Sequence, residues 1–235
     1  MEKTSRIRRG RVEMDALCVK PSMTYISPAV GPNSYQEVGK QIIAAGLMVP
    51  VGDYTAPLVR DAYCDASVNE EPEFVNIREV MRNRWLWVFN RNLWTDKGMF
   101  SMHDPKAIGR SKPFNLRSLE RKLKGGKEVK DIRFSEDGTV RFAPKGSYTL
   151  GEIDAERLAQ DGVMIARYGI EGAKLMAEAA STLRNKPITY GLDIAEDQNP
   201  ELRVSTLHEG DSRLHFIGGN FYDYSFAFPV RAPHR

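Results

Sequence analysis

The chain has 235 residues, 28% of them charged and 41% apolar, with 34 Lys plus Arg against 31 Asp plus Glu and a formal net charge of +3. That composition excludes a wholly disordered chain and predicts a buried core. Cys18 and Cys64 are too few for a disulfide framework, and neither has a second cysteine at metal-ligand spacing, so a reducing, cytoplasmic setting is expected.

Residues 1–12 carry Lys3, Arg6, Arg8, Arg9 and Arg11 against Glu2, a local balance of +4 with little to bury, and read as a basic flexible arm ahead of a single domain over 13–235, with a subdivision near 105. No apolar stretch follows the arm as a secretory signal requires. The weakly polar run 42–52 contains Pro50 and falls short of the about 20 residues of a spanning helix, so no membrane partner is expected.

Pro21 and Pro28 make the next stretch irregular. Ser34 followed by Glu37 has the form of a capping box, Val38, Ile42 and Ile43 continue at helical spacing, and Gly46 suits a left-handed stop. Thr55 and Pro57 mark a second helix start, with Leu58, Val59, Ala62, Tyr63 and Ala66 on one face. A short helix over 74–83 leads into Trp85, Leu86, Trp87, Val88 and Phe89. The run 84–94 predicts a central strand covered on both faces, turning at Asp96-Lys97-Gly98 into a second strand over 99–102.

Leu116, Leu119 and Leu123 predict a helix over 115–124, ended by Gly125 and Gly126. Asp137-Gly138 predicts a hairpin in which Ile132 and Phe134 share a face with Val140 and Phe142. Helices are expected over 151–160, stopped by Gly162, and from 169 or 170 to 183. Strands are expected over 188–192, 202–208, 213–217 and 221–228. Segregated helices and hairpins argue for an α+β fold, a mostly antiparallel sheet with about four to six helices packed on it and a β-rich C-terminus.

The charge is uneven. Residues 106–145 hold 12 basic and 5 acidic residues, a balance of +7, whereas 149–212 hold 12 acidic and 6 basic, a balance of −6. Arg117, Arg121, Lys122 and Lys124 lie on the helix away from its leucines, with Lys127 just beyond. Such a cationic strip attracts phosphates without reading sequence. Trp94, expected to be the least buried of the strand's aromatics, would add a stacking platform for bases. The blander reading of the strip is a solvated helix face.

Other groups suggest chemistry more weakly. His103 beside Asp104 has the composition of an imidazole oriented by a carboxylate. His208 and His215 flank a polar turn; with Gly210 and Asp211 central they are diagonal neighbours, close enough to share a metal, and a one-residue change of register separates them. Asp61 and Asp65, with Asp53 nearby, suggest a carboxylate cation site. Cys64 between them is a poor nucleophile, since negative neighbours disfavour the thiolate. Gly169-Ile170-Glu171-Gly172 lacks the features of a phosphate loop and reads as a turn. No metal site and no cofactor is assigned. The functional expectation is a soluble binding protein that contacts nucleic acid or another polyanion through the basic helix. The alternatives are a hydrolase, metal-assisted or not, acting on a small polar or phosphorylated substrate through His103/Asp104 or His208/His215, and a homo-oligomeric scaffold subunit.

Overall fold

The computed structural model describes residues 6–8, 13–16, 23–110, 114–220 and 224–231. Strands β1 (Arg6–Arg8), β2 (Glu13–Ala16), β3 (Met23–Ile26) and β4 (Val30–Asn33) precede helices α1 (Tyr35–Ala44), α2 (Gly52–Cys64) and α3 (Pro72–Asn83). Then come β5 (Leu86–Thr95), β6 (Gly98–His103), α4 (Leu116–Leu123), β7 (Lys127–Val129), β8 (Ile132–Phe134), β9 (Val140–Pro144), β10 (Gly151–Glu152), α5 (Ala155–Leu158) and α6 (Gly162–Ser181). The C-terminal part is β11 (Ile188–Thr189), β12 (Glu201–Gly210), β13 (Arg213–Gly219), β14 (Ser225–Ala227) and β15 (Val230–Arg231). This is the α+β architecture expected: six helices on a mostly antiparallel sheet, with strands dominating the C-terminus.

The large sheet runs β10-β11-β13-β12-β5-β6-β9-β8-β7, with β14 and β4 joined beside β5, and a small sheet runs β1-β2-β3-β15. Among the described residues only β11 with β13 and β14 with β5 pair in parallel. The described part of the expected arm is therefore a paired strand, with Arg6 opposite Asp15 and Arg8 opposite Glu13. Among the described residues no helix is long and apolar enough to cross a membrane.

All ten residues of β5 are buried, as a strand covered on both faces must be. Leu86, Val88 and Trp94 face the main core with α2 and α6, while Trp87 and Phe89 pack under Tyr35 of α1, and Leu93 joins Phe100, Val140 and Phe142 under α4. The β12–β13–β11 end of that second face is less covered. His208, His215 and Ile217 are half-buried there, and Tyr190 is 42% exposed.

Several local expectations are corrected. The Ser34 side chain caps nothing; its own N–H donates to Asn33 Oδ1 at 2.8 Å, and Glu37 pairs with Lys40 instead. α2 starts at Gly52, so Pro57 lies inside it. Gly162 begins a helix rather than stopping one, because Asp161 accepts from the N–H groups of Val163 and Met164. The turn expected at Gly169 is a kink inside α6, at φ 76° and ψ 170°, which only glycine adopts readily. In the β8–β9 hairpin, Phe134 lies opposite Arg141 and Arg133 opposite Phe142. An even number of loop residues therefore puts Phe134 with the main core and Val140 and Phe142 on the other face, against the shared face expected.

Candidate functional site

α4 begins where Asn115 Oδ1 accepts the N–H of Ser118 at 3.1 Å. Leu119 and Leu123 go down onto Val140 and Phe142, while Leu116 stays exposed. Burying a leucine contributes about 1.5–3 kcal/mol, so two leucines suffice to fix which side of this short helix faces outward. Arg117, Arg121, Lys122 and Lys124 are all exposed as a result, and so is Lys127 on β7. Among the described residues none of the five forms an ion pair. Arg121, Lys122 and Gly125 line a shallow depression of about 440 Å³ against the 135–137 turn. That turn also borders a second hollow, of about 580 Å³, reaching Asp53, Lys127, Arg141 and Leu175. Hydrogen bonds from the Ser135 hydroxyl and the Thr139 N–H, with Lys122 nearby, hold the Asp137 carboxyl down at a pKa of about 2.

His103 does not pair with Asp104. The Asp104 carboxylate accepts the N–H groups of Ile108 and Gly109 at 3.1 and 2.9 Å and the Tyr35 hydroxyl at 3.2 Å, organising the loop after β6. Adjacent strand residues point to opposite faces, and His103 instead reaches Asp53 of α2, with Nε2 3.4 Å from Oδ2. Arg141 from β9 clamps the same carboxylate with both Nη atoms, Nη1 at 2.8 Å from Oδ1. Burial pushes the Asp53 carboxyl up, but His103 and Arg141 outweigh it and hold its pKa below the usual value. Gly169 sits against this cluster, where an added Cβ would lie 2.8 Å from Asp53 Oδ1.

The hairpin at the other end of the sheet differs from expectation too. Asp211 and Ser212, both at positive φ, are the central turn residues, so His208 lies directly opposite His215 and not diagonal to it. Their ring centroids are 5.6 Å apart. The change of register brings them together rather than separating them. Trp85 and Tyr190 continue the row on either side, at 6.2 Å from His208 and 5.9 Å from His215. On the opposite face Glu209 accepts from Tyr63 Oη and Arg82 Nε, at 2.6 and 2.8 Å, and ties the hairpin to α2 and α3.

Trp94, expected to be the least buried of these aromatics, is fully buried. It faces the main core, edge-on to Tyr148 and beneath the Arg167 guanidinium, because β5 is covered on both sides. Trp85 is the tryptophan that keeps some exposure. The three aspartates do not converge: Asp61 pairs with Arg60, Asp65 Oδ1 accepts the N–H of Ser67, and Asp53 is held by Arg141. Among the described residues no group of three or more His, Cys, Asp or Glu could hold a metal ion. Burial, together with nearby carboxylates, raises the Cys64 thiol to about 11, in keeping with a poor nucleophile; Cys18 lies outside the described residues.

A solved structure from work on how the C-type lectin fold accommodates massive sequence variation in Nanoarchaeota aligns with 87% of this chain and 97% of its own, at 12% identity and a TM-score of 0.51. The fold is C-type lectin-like. At that identity the likeness carries the backbone arrangement alone, and no residue role passes with it. No protein-family model and no curated protein matches the sequence. Within the C-type lectin-like fold, three features were not singled out beforehand: Arg141, the buried Arg167 and Tyr190. Arg141 was the most legible, as a charge flanked by Val140 and Phe142 in an otherwise apolar strand.

Proposed function

We propose that this chain is a binding protein whose C-type lectin-like scaffold presents a cationic helix face, Arg117, Arg121, Lys122 and Lys124 with Lys127, to nucleic acid or a comparable polyanion. The observation that supports the reading is that, among the described residues, these five cations point outward without an ion pair, beside a depression that Arg121 and Lys122 line together with Glu136 and Asp137. Cations already satisfied by carboxylates would have to break those pairs to meet phosphate; these need not. The solved relative is described as a fold that accommodates sequence variation, and such a scaffold suits a protein whose surface does the binding. A hydrolytic reading draws less support, since the Asp53 carboxylate nearest His103 is already engaged by both Nη atoms of Arg141.

The test is fluorescence anisotropy with labelled RNA, single-stranded DNA, duplex DNA and heparin across a salt series. The reading expects dissociation constants of about 10⁻⁴–10⁻⁶ M that weaken steeply with salt. Arg117→Glu with Arg121→Glu should reduce affinity and flatten the salt slope, while leaving the melting temperature near wild type. Absence of binding to all four ligands at low salt overturns it.

A further inference from the structure

We propose that His208 and His215 form a two-imidazole site for a borderline divalent transition ion, Zn²⁺ or Cu²⁺, at the open end of the sheet. The cross-strand register sets the two rings side by side, centroids 5.6 Å apart and planes inclined at 50°. Metal–imidazole bonds of about 2.0–2.1 Å hold two rings on one ion with centroids about 5 Å apart, so a small closing motion of the two half-buried rings completes the pair. Both Nε2 atoms lean over Gly210. A Cβ built there would lie 2.9 Å from His208 Nε2 and 3.3 Å from His215 Nε2, so the absent side chain leaves the space in which the two nitrogens converge.

The remaining nitrogen of His208 is already oriented as a metal-binding imidazole requires, and that of His215 has a partner within reach. His208 Nδ1–H donates to the Arg84 carbonyl at 3.2 Å, which leaves Nε2 with its lone pair free to bind. His215 Nδ1 lies 3.3 Å from the Tyr190 hydroxyl, and its Nε2–H donates to the Gly210 carbonyl at 3.1 Å. On binding, the His215 proton moves to Nδ1 and donates to Tyr190 Oη, and Nε2 exchanges the carbonyl for the ion. Arg167 supports this geometry from beneath, because its Nη2 donates to the Tyr190 carbonyl and its Nη1 to that of Phe216, at 3.2 Å each. With two protein ligands the other coordination positions go to water or to a donor from a ligand, and by the usual order of divalent ions Cu²⁺ binds more tightly than Zn²⁺.

The experiment is titration calorimetry of the full chain with Zn²⁺ and with Cu²⁺ at neutral pH, with circular dichroism as the check on folding. The proposal expects one saturable ion per chain, Cu²⁺ tighter than Zn²⁺. His208→Ala and His215→Ala should each weaken binding by more than about 100-fold, beyond the 10–100-fold typical of losing an outer partner. Tyr190→Phe, which removes that partner, should cost about 10-fold, and Gly210→Ala should weaken binding by crowding both Nε2 atoms. His103→Ala, whose ring contacts Asp53 instead, should bind as wild type. No saturable binding by the wild type, or binding retained in both His208→Ala and His215→Ala, overturns the proposal. If a histidine variant fails to fold, Tyr190→Phe and Gly210→Ala decide it: unchanged affinity in both overturns it.

Discussion

Arg141 on β9 and Asp53 in the first turn of α2 meet in a fork of two N–H···O bonds, which fastens the start of a helix to the sheet. The Arg141 side chain is 7% exposed and that of Asp53 29%. Removing one partner of a buried pair costs about 3–5 kcal/mol, and the partial exposure of Asp53 places Arg141→Leu near the lower end of that range. Urea unfolding of the variant measures it. A loss below about 1 kcal/mol would show that this pair behaves like a surface salt bridge.

The same carboxylate, with Asp137, sets the acid limb of stability. Burial raises the Asp53 pKa, yet His103 and Arg141 leave it net below the ordinary value, and Asp137 is held at about 2. A folded pKa below the unfolded one, near about 3.9, means stability that is fully present above that pH and is lost as pH falls through the folded value. Asp161 works the other way, because burial raises its pKa despite three backbone N–H donors. The informative comparison is therefore wild type against Asp137→Asn in thermal melts between pH 4 and 2. The variant should lose less stability over that window, and parallel curves count against the assignment.

How far the sequence reaches follows from the range of each interaction. The run from Trp85 to Phe89 was legible as a doubly covered strand because burial on both faces shows in every successive residue. Leu119 and Leu123 of α4 were legible because their spacing of one helical turn puts them on one face, whereas Leu116, predicted with them, is exposed. His103 was assigned to its neighbour Asp104, whereas its carboxylate lies 50 residues earlier on a helix across the sheet, and no local pattern carries that. Both hairpin faces were misassigned for one reason. A turn decides register by the parity and position of its central residues, so moving the centre from Gly210-Asp211 to Asp211-Ser212 turns a diagonal histidine pair into a direct one.

His215 adds a dependence near neutrality. Burial lowers its pKa, with contributions in the same direction from His208 and Arg213 and opposing ones from the Gly210 carbonyl and Asp211. The folded state therefore binds this proton less readily than the unfolded chain, whose value is near about 6.5. The stability concerned is present above that pH and declines as pH falls through the folded pKa. His215→Gln should flatten the change in unfolding free energy between about pH 7 and 5, measured with metal chelator present. An NMR titration that finds the His215 midpoint at or above the unfolded value rules this out.

The tryptophans separate a stacking role from a packing role. Trp87 and Trp94 are fully buried and Trp85 half-buried, so iodide should quench one component of the emission and leave the remainder protected. Trp94 fills space that Gly191 leaves open; a Cβ at Gly191 would come within 2.2 Å of the indole. Trp94→Ala then opens a core cavity and costs about 3–5 kcal/mol, the range for losing a buried Trp or Phe. Polyanion affinity at low temperature, where the variant is still folded, should stay at the wild-type level, because nothing that touches solvent has changed. A Trp94→Ala protein with intact stability and weakened polyanion binding would reverse that assignment and return Trp94 to the surface.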